Sequence, residues 1–392
     1  MSLFSEKTKK PSVCLVHDWL ITMRGGEKVL EGIAELFPEA PIYTLFLDRK
    51  KLSGALQSRK IHTSFLQYIP GISKFYRWLL PLFPIAIWFL NVRKFDIVIS
   101  SSHCMAKAIP VRKEALHICY CHTPMRYLWG FEEEYFGKFI KPIRFLIQFY
   151  FNWLRAWDQK TSKKVSLFIA NSRNTANKIL ELYGKPSVVI HPPVDIPYGA
   201  DYHHEYKQVN YFLIVSALVP YKKVDIAISA FNELRLPLRI VGDGPERTRL
   251  EKLVRHSEIV FDGWLTEELL RTRYRNCKAL IFPGEEDFGI VPVEAQSFGK
   301  PVIAYGKGGV CESVLACNEQ NVQRLPQKST GIFFYDQTAN ALIQSIKESE
   351  CLDFDSHFIQ NHAQSFGLKK FRAEIIGFLN AHSIQITDSI GL

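Results

Sequence analysis

The sequence has no uninterrupted apolar run of about 18 residues, the length a membrane-crossing helix needs. The longest, Trp78 to Leu90, is broken by Pro81 and Pro84, so no transmembrane helix is expected. The first residues, MSLFSEKTKKPS, lack the apolar stretch of a secretory signal. None of the eight cysteines forms a C-x-x-C pair. Cys119 and Cys121, two apart, would share one face of a strand without making a metal site. These features together predict reduced thiols in a cytosolic protein. No flanked nucleophile of the Gly-x-Ser-x-Gly sort is present. There is no basic recognition helix, zinc-ligand spacing or RNP-type strand either, so charge alone does not point to nucleic acid.

What is present describes an ordinary globular chain. Its 392 residues, 47% apolar and 22% charged, suit two or three domains, each able to bury a core. Lys and Arg exceed Asp and Glu by 49 − 39 = 10, which favours phosphate-bearing substrates or anionic lipid headgroups. Short apolar runs alternate with helical patterns: Ser12–His17, Asp96–Ser102, His117–His122 and Ser166–Ser172, then Tyr211–Ala217, Leu238–Gly244, Ile259–Gly263, Ala279–Gly284 and Pro301–Gly306. Continuous apolar strands separated by helices predict parallel sheets covered on both faces. The Pro-rich stretch His191–Pro197 divides the series. The expected fold class is α/β, with two Rossmann-like doubly wound domains, 1–195 and 196–392, facing across a cleft. SFGLKKFRAEIIGFLNA reads as a C-terminal amphipathic helix.

Two Rossmann-like halves do not imply a dinucleotide. Gly242-Asp243-Gly244 lacks the third glycine of the fingerprint and lies on the second strand of its half. The informative segment is FPGEEDFGIVPVEAQSFGKPVIA, from Phe282 to Ala304. A buried strand ends at Phe282, an acidic loop follows, and a helix begins near Phe288–Gly289 with its N–H groups facing the strand's carboxyl end, as an anion site requires. Glu286 sits before that helix and Glu294 about one and a half turns into it. Both can accept hydrogen bonds from sugar hydroxyls.

The run from Glu286 to Glu294 resembles the E-x7-E motif of the retaining family 4 glycosyltransferases of the GT-B fold. Arg24-Gly25-Gly26-Glu27, Val241–Pro245, Phe261-Asp262-Gly263-Trp264 and Gly308–Glu312 match other segments of that family in the same order. His17–Leu20, Cys121–Trp129 and Leu218–Lys223 look most like the mannosyltransferase-type enzymes of bacterial O-antigen and polysaccharide assembly. The resemblance implies that Glu294 holds the ribose hydroxyls and that Glu286 contacts the donor sugar, with the backbone of Phe288, Gly289 and Ile290. It implies that Lys222 neutralises the diphosphate, that Trp264 lies near the base, that His122 approaches the transferred sugar, and that Gly25–Gly26 close over the phosphates. It further implies a nucleotide-sugar donor, no obligatory metal or other cofactor, and a lipid-linked or surface-polysaccharide acceptor. GDP-mannose is the expected donor.

One departure stands out. The family usually has Gly-Arg-Leu about five residues before the motif lysine, and its arginine is the second cation on the diphosphate. Here the chain reads Ser216-Ala217-Leu218. Lys223 or Arg24 could compensate; if neither does, the chain would be a weakly active or inactive nucleotide-sugar-binding scaffold protein. Asp353-Phe354-Asp355 matches the D-x-D of metal-dependent transferases only superficially, being in a polar stretch beyond the core strands.

The aromatic excess falls in two places. From Leu66 to Phe95, many aromatics accompany Lys74, Arg77, Arg93 and Lys94 with no acid. From Lys138 to Lys164, aromatics again alternate with bases. Such stretches suit either core helices or a surface that dips into headgroups. They give the expectation of peripheral contact with an anionic membrane, at the inner face of the cytoplasmic membrane.

Overall fold

A computed structural model of the chain describes residues 11–129, 141–196, 211–318, 324–382 and 384, with side chains from 147 onward in the second of these stretches. The linker pair His203–His204, the basic start of the second aromatic stretch and the tail 386–392 lie outside the described residues. The chain forms two compact units. One runs to Pro192 and takes the chain back at Phe371; the other spans Pro193–Lys370 together with Ser172–Asn174.

The first unit is built on a seven-stranded parallel sheet. Its strands are β1 (Val13–His17), β2 (Ile42–Thr44), β3 (Ile61–Thr63), β4 (Ile97–Ser102), β5 (Leu116–Cys121), β6 (Leu167–Ala170) and β7 (Ser187–Val189). Their order is β3-β2-β1-β4-β5-β6-β7, so the winding direction reverses between β1 and β4. Strand alternation sorts the core into two layers. Cys14 and Val16 face a cluster with Val98, Phe83 and Ile87. Leu15 faces the other way, with Ile97, Ile99, Tyr120 and the apolar side of the helix Gly25–Leu36. That helix places Val29, Leu30 and Ile33 on one stripe at three- and four-residue spacing.

A single boundary at 195 does not describe the chain. The crossing comes at Pro193, and the amphipathic helix Leu368–Ala381 returns to the first unit from Phe371 on. The reason is its apolar stripe: Phe371, Ile375, Phe378 and Leu379 are buried in the same layer as Leu30, Ile33 and Tyr120. The rings of Tyr120 and Phe371 lie 6.0 Å apart, and Arg372 pairs with Glu35.

The second unit holds a six-stranded parallel sheet: β8 (Phe212–Val215), β9 (Leu238–Val241), β10 (Ile259–Gly263), β11 (Leu280–Phe282), β12 (Val302–Tyr305) and β13 (Gly331–Phe334). The order β10-β9-β8-β11-β12-β13 reverses between β8 and β11. Phe212, Ile214, Ile240 and Ile281 pack against the helices Val224–Leu234 and Ala339–Glu350. Leu213, Leu280 and Phe282 pack on the opposite face with Tyr274 and Ala295. Doubly wound sheets bind ligands beyond the carboxyl ends of their strands at the point of reversal, which directs attention to the ends of β1, β4, β8 and β11.

The two aromatic stretches are divided between core and surface. Leu66, Ile72, Leu80, Phe83, Ile87 and Phe95 are buried. On the helix Lys141–Ser162, Phe151 and Leu154 join the same cluster, and Tyr150 and Trp157 pack against it. Phe149 and Trp153 are exposed. No described helix is long and apolar enough to cross a membrane.

Candidate active site

In the second unit, two loops meet at the reversal point. After β8 the chain passes Ser216, Ala217 and Leu218 to a tight turn at Pro220–Lys222, and Lys223 takes a left-handed conformation (φ 53°) before the next helix starts. After β11 it passes Gly284 to Glu286, Asp287 and Phe288, and the helix Ile290–Ser297 begins behind Gly289. The loops lie backbone to backbone. A Cβ on Gly284 would stand 2.9 Å from Lys222 Cα, so only glycine permits this approach. Gly309, from the loop after β12, donates its N–H to the Glu286 carbonyl at 2.8 Å. A Cβ there would fall 2.1 Å from Asp287 O.

This packing brings Lys222 and Glu286 together. The ammonium donates to Glu286 Oε1, both side chains being mostly buried. The ammonium also lies 5.2 Å from the Tyr221 ring centroid. One turn into the helix, Glu294 accepts a hydrogen bond from Tyr274 Oη at 2.7 Å. Burial, then the charge of Glu294, raises the Tyr274 phenol well above its usual pKa, so it stays a donor and orients the carboxylate. Phe288 and Gly289 are buried, and Ile290 packs beside Phe288 and Val293. Lys223 is half-buried and makes no ion pair among the described residues. Trp264 is exposed beyond the end of β10, two strands from β8. An ammonium paired with Glu286, at a strand end closed by glycine loops and followed one helical turn on by Glu294, can hold an anionic diphosphate and neighbouring hydroxyls.

The Asp353-Phe354-Asp355 segment has a structural role. Asp355 caps the helix Ser356–Ala363, its carboxylate accepting from His357 N at 2.8 Å and Phe358 N at 3.2 Å.

In the first unit, three imidazoles gather at the carboxyl ends of β1, β4 and β5. The ring centroids of His17, His103 and His122 are 5.9 to 6.5 Å apart. The Ser101 hydroxyl bridges His17 Nδ1 (3.1 Å) and His122 Nε2 (2.8 Å). Gly26 overhangs them, its Cβ position 3.5 Å from His17 Cε1 and 3.7 Å from His122 Nε2. Gly25 and Gly26 open the helix Gly25–Leu36, and Glu27 accepts from Arg24 N at 3.0 Å. Burial lowers the His17 pKa to about 3, with the neighbouring His103 adding to the effect, so this ring is neutral at ordinary pH.

Asp18 holds the group in place. Its carboxylate accepts four backbone N–H bonds, from His103, Cys104, Met105 and Ala106, at 2.5 to 2.9 Å. Of the three histidines, only His122 is assigned a role from the sequence. His17 and Asp18 stand within the His17–Leu20 resemblance without a role, and Ser101 and His103 are passed over, although strand-end position carries the signal: all lie at or just beyond the ends of β1 or β4, the pair flanking the reversal.

Comparison with known proteins fits this geometry. Residues 23–197 match the family "Glycosyltransferase Family 4" and residues 201–362 match "Glycosyl transferases group 1", which together take in most of the chain. The chain belongs to the group 1 glycosyltransferases. O-antigen chain mannosyltransferase C of Escherichia coli is 30% identical over 36% of this chain and 42% of its own length. The alpha-1,3/1,6-mannosyltransferase of Schizosaccharomyces pombe is 22% identical over 96% of this chain and 83% of its own. The match thus spans about two fifths of the E. coli relative, and 31% of an uncharacterised glycosyltransferase of Methanocaldococcus jannaschii. Among solved structures, Anabaena HepE with UDP and glucose is similar at TM-score 0.66 and 16% identity, covering 94% of this chain and all of that one. The sucrose-phosphate synthase of Thermosynechococcus elongatus is similar at TM-score 0.67 and 17% identity, covering 95% and 99%. The two parallel-sheet units of this glycosyltransferase family member are those of the GT-B fold.

Proposed function

We propose that the chain transfers a hexose, with retention of anomeric configuration, from a nucleotide diphosphate sugar to a lipid-linked or surface-polysaccharide acceptor. The observation that carries this reading is the Lys222–Glu286 pair at the β8/β11 reversal, with Glu294 fixed by Tyr274 one turn further on. A nucleotide diphosphate leaves readily once its charge is neutralised, so positioning and electrostatics suffice for the protein. Lys222 faces the diphosphate. Glu286 accepts from the sugar hydroxyls, and Glu294 from the ribose. His122, oriented through Ser101, meets the transferred sugar. Trp264 stands near the base. No obligatory metal takes part. The names of the mannosyltransferase relatives support mannose, and GDP-mannose is the donor proposed for it. The acceptor's lipid puts the chain at the anionic inner face of the cytoplasmic membrane.

Ala217 favours a second reading. Where the family carries an arginine, this chain has a methyl group, which leaves one fewer cation on the diphosphate and describes a nucleotide-sugar-binding scaffold protein with little turnover. A panel of nucleotide sugars, tested by thermal stabilisation and by release of nucleotide diphosphate, separates the readings. A ligand at a hundred times its Kd adds about 2.7 kcal/mol of stability. Stabilisation by GDP-mannose with transfer to a polyprenyl-linked saccharide supports the first, and stabilisation without turnover supports the second. No stabilisation by any nucleotide sugar overturns both.

A further inference from the structure

None of the residues assigned above to sugar transfer lies in residues 65–95, which present a face of their own. They fold into a chain of short helical segments, Phe65–Tyr68, Ile72–Phe75, Tyr76–Leu82 and Phe83–Phe89. One side of this chain is anchored: Leu66, Ile72, Leu80, Phe83 and Ile87 are part of the first unit's core. The other side is aromatic and open. Tyr68 is 86% exposed, Trp78 70%, Phe89 64% and Trp88 60%. Phe65, Phe89 and Trp88 adjoin, with centroids 6.2 and 5.7 Å apart, and the Arg93 guanidinium lies 5.7 Å from the Trp88 ring. Patches of this kind on a folded surface mark contact sites.

The charge is of one sign. From residue 49 to residue 95 the chain has no Asp or Glu, while Lys74, Arg77, Arg93 and Lys94 are exposed in the same stretch and Arg93 lies against Trp88. We propose that this face docks on an anionic lipid bilayer, with Trp78, Trp88 and Phe89 among the headgroups and the four cations on lipid phosphates. Three features favour a bilayer over a protein partner. The most exposed rings of residues 65–95, Tyr68 and Trp78, and Trp88 with them are Tyr or Trp, whose amphipathic bodies prefer the headgroup layer. The cations can lay their stems along the rings while their charged ends reach phosphate. The anchored side holds the rings in place beforehand, so little order has to be gained on docking. Phe149 and Trp153 extend the exposed aromatics from the neighbouring helix Lys141–Ser162, whose Tyr150 bonds the Leu80 carbonyl at 3.4 Å. The inference rests on the membrane part of the reading above and names the surface responsible.

The test is sedimentation of the full chain with phosphatidylcholine vesicles, with and without phosphatidylglycerol, at low and high salt. Binding should require phosphatidylglycerol and fall with salt. The double variant Trp88→Ser, Phe89→Ser should bind about tenfold more weakly or worse, with an unchanged melting temperature because both rings are exposed. Arg93→Gln and Lys94→Gln should each cost about fivefold. Equal binding to both vesicle types, or variants that bind as the parent does, overturns the proposal. A dimer in light scattering that W88S/F89S dissociates would give the face to a second copy instead, and also overturns it. Stabilisation by GDP-mannose in solution, read on the same variants, keeps the two hypotheses apart: it should be unaffected, and its presence without vesicle binding would fault the docking face alone.

Discussion

The Lys222–Glu286 pair allows a test in which two neighbouring substitutions push in opposite directions. Without donor, the ammonium is occupied by the carboxylate. A diphosphate must share or displace that contact. Lys222→Ala removes a charge-assisted contact of about 1.5–3 kcal/mol, which is roughly 10- to 150-fold in the Kd for GDP. It also strips Glu286 of its counter-ion beside an incoming dianion, so the observed loss should lie toward the upper end. Glu286→Gln has the reverse effect on GDP. It releases the ammonium, so GDP should bind as tightly as before or a few-fold tighter, while transfer from GDP-mannose collapses. The double variant should bind GDP better than Lys222→Ala alone, because the uncompensated carboxylate has gone. Calorimetric Kd values for GDP and initial rates with GDP-mannose supply all four corners of the cycle. Lys223→Ala belongs in the same series: if this residue replaces the missing arginine at Ala217, its loss should match that of Lys222→Ala. The reasoning fails if Glu286→Gln weakens GDP as much as Lys222→Ala does and the two effects simply add.

Two further outcomes follow from packing and burial. Gly309→Ala puts a methyl group 2.1 Å from Asp287 O and 2.3 Å from Phe288 Cα, so the acidic loop must shift; a loss of about 1–3 kcal/mol is expected, at about 2–4 °C of Tm per kcal/mol, and a melt within 1 °C of the parent would contradict it. Burial holds His17 near pKa 3 and His117 near 4, below the ordinary value of about 6.5, so the unfolded chain takes up protons first as pH falls. Their contribution is complete above about pH 7 and declines through 6.5 toward 4, by about 1.4 kcal/mol per pH unit for each ring. Urea midpoints of the first unit at pH 7.5 and 5.5 should therefore differ clearly, and equal midpoints would show that the rings are not buried neutral.

Much of this architecture could be read from residue order. Apolar runs at Ser12–His17, Asp96–Ser102 and Ile259–Gly263 lie within a residue of β1, β4 and β10, because a strand covered on both faces is apolar throughout. Strands β2, β3, β7 and β13 escaped notice. β3 and β7 are edge strands and only partly buried, so they need no continuous apolar run; nothing comparable sets β2 and β13 apart from the strands that were read. The E-x7-E spacing located Glu286 and Glu294, but the hydrogen bond from Tyr274 could not be foreseen, since that phenol arrives from a separate helix, twenty residues earlier than its partner. Asp18 was missed for a related reason. Its importance lies in four main-chain N–H groups some 85 residues away, and main-chain donors leave no mark in a sequence. The helix Leu368–Ala381 was recognisable from its periodicity, yet an apolar stripe does not say which core it completes.

The return of that helix has a consequence for how the polypeptide matures on the ribosome. The sheet carrying β1 to β7 is fully synthesised by Pro192, but the layer around Leu30 and Tyr120 lacks Phe371, Ile375 and Phe378 until about 180 residues later. At about 5–20 residues per second, that interval is roughly 10 to 40 s, during which an apolar strip on the nascent chain stays uncovered. The second unit, by contrast, has its whole sheet by Phe334, so the half translated later is the one free to complete its own core first, and the earlier half is sealed by a helix that emerges only after it.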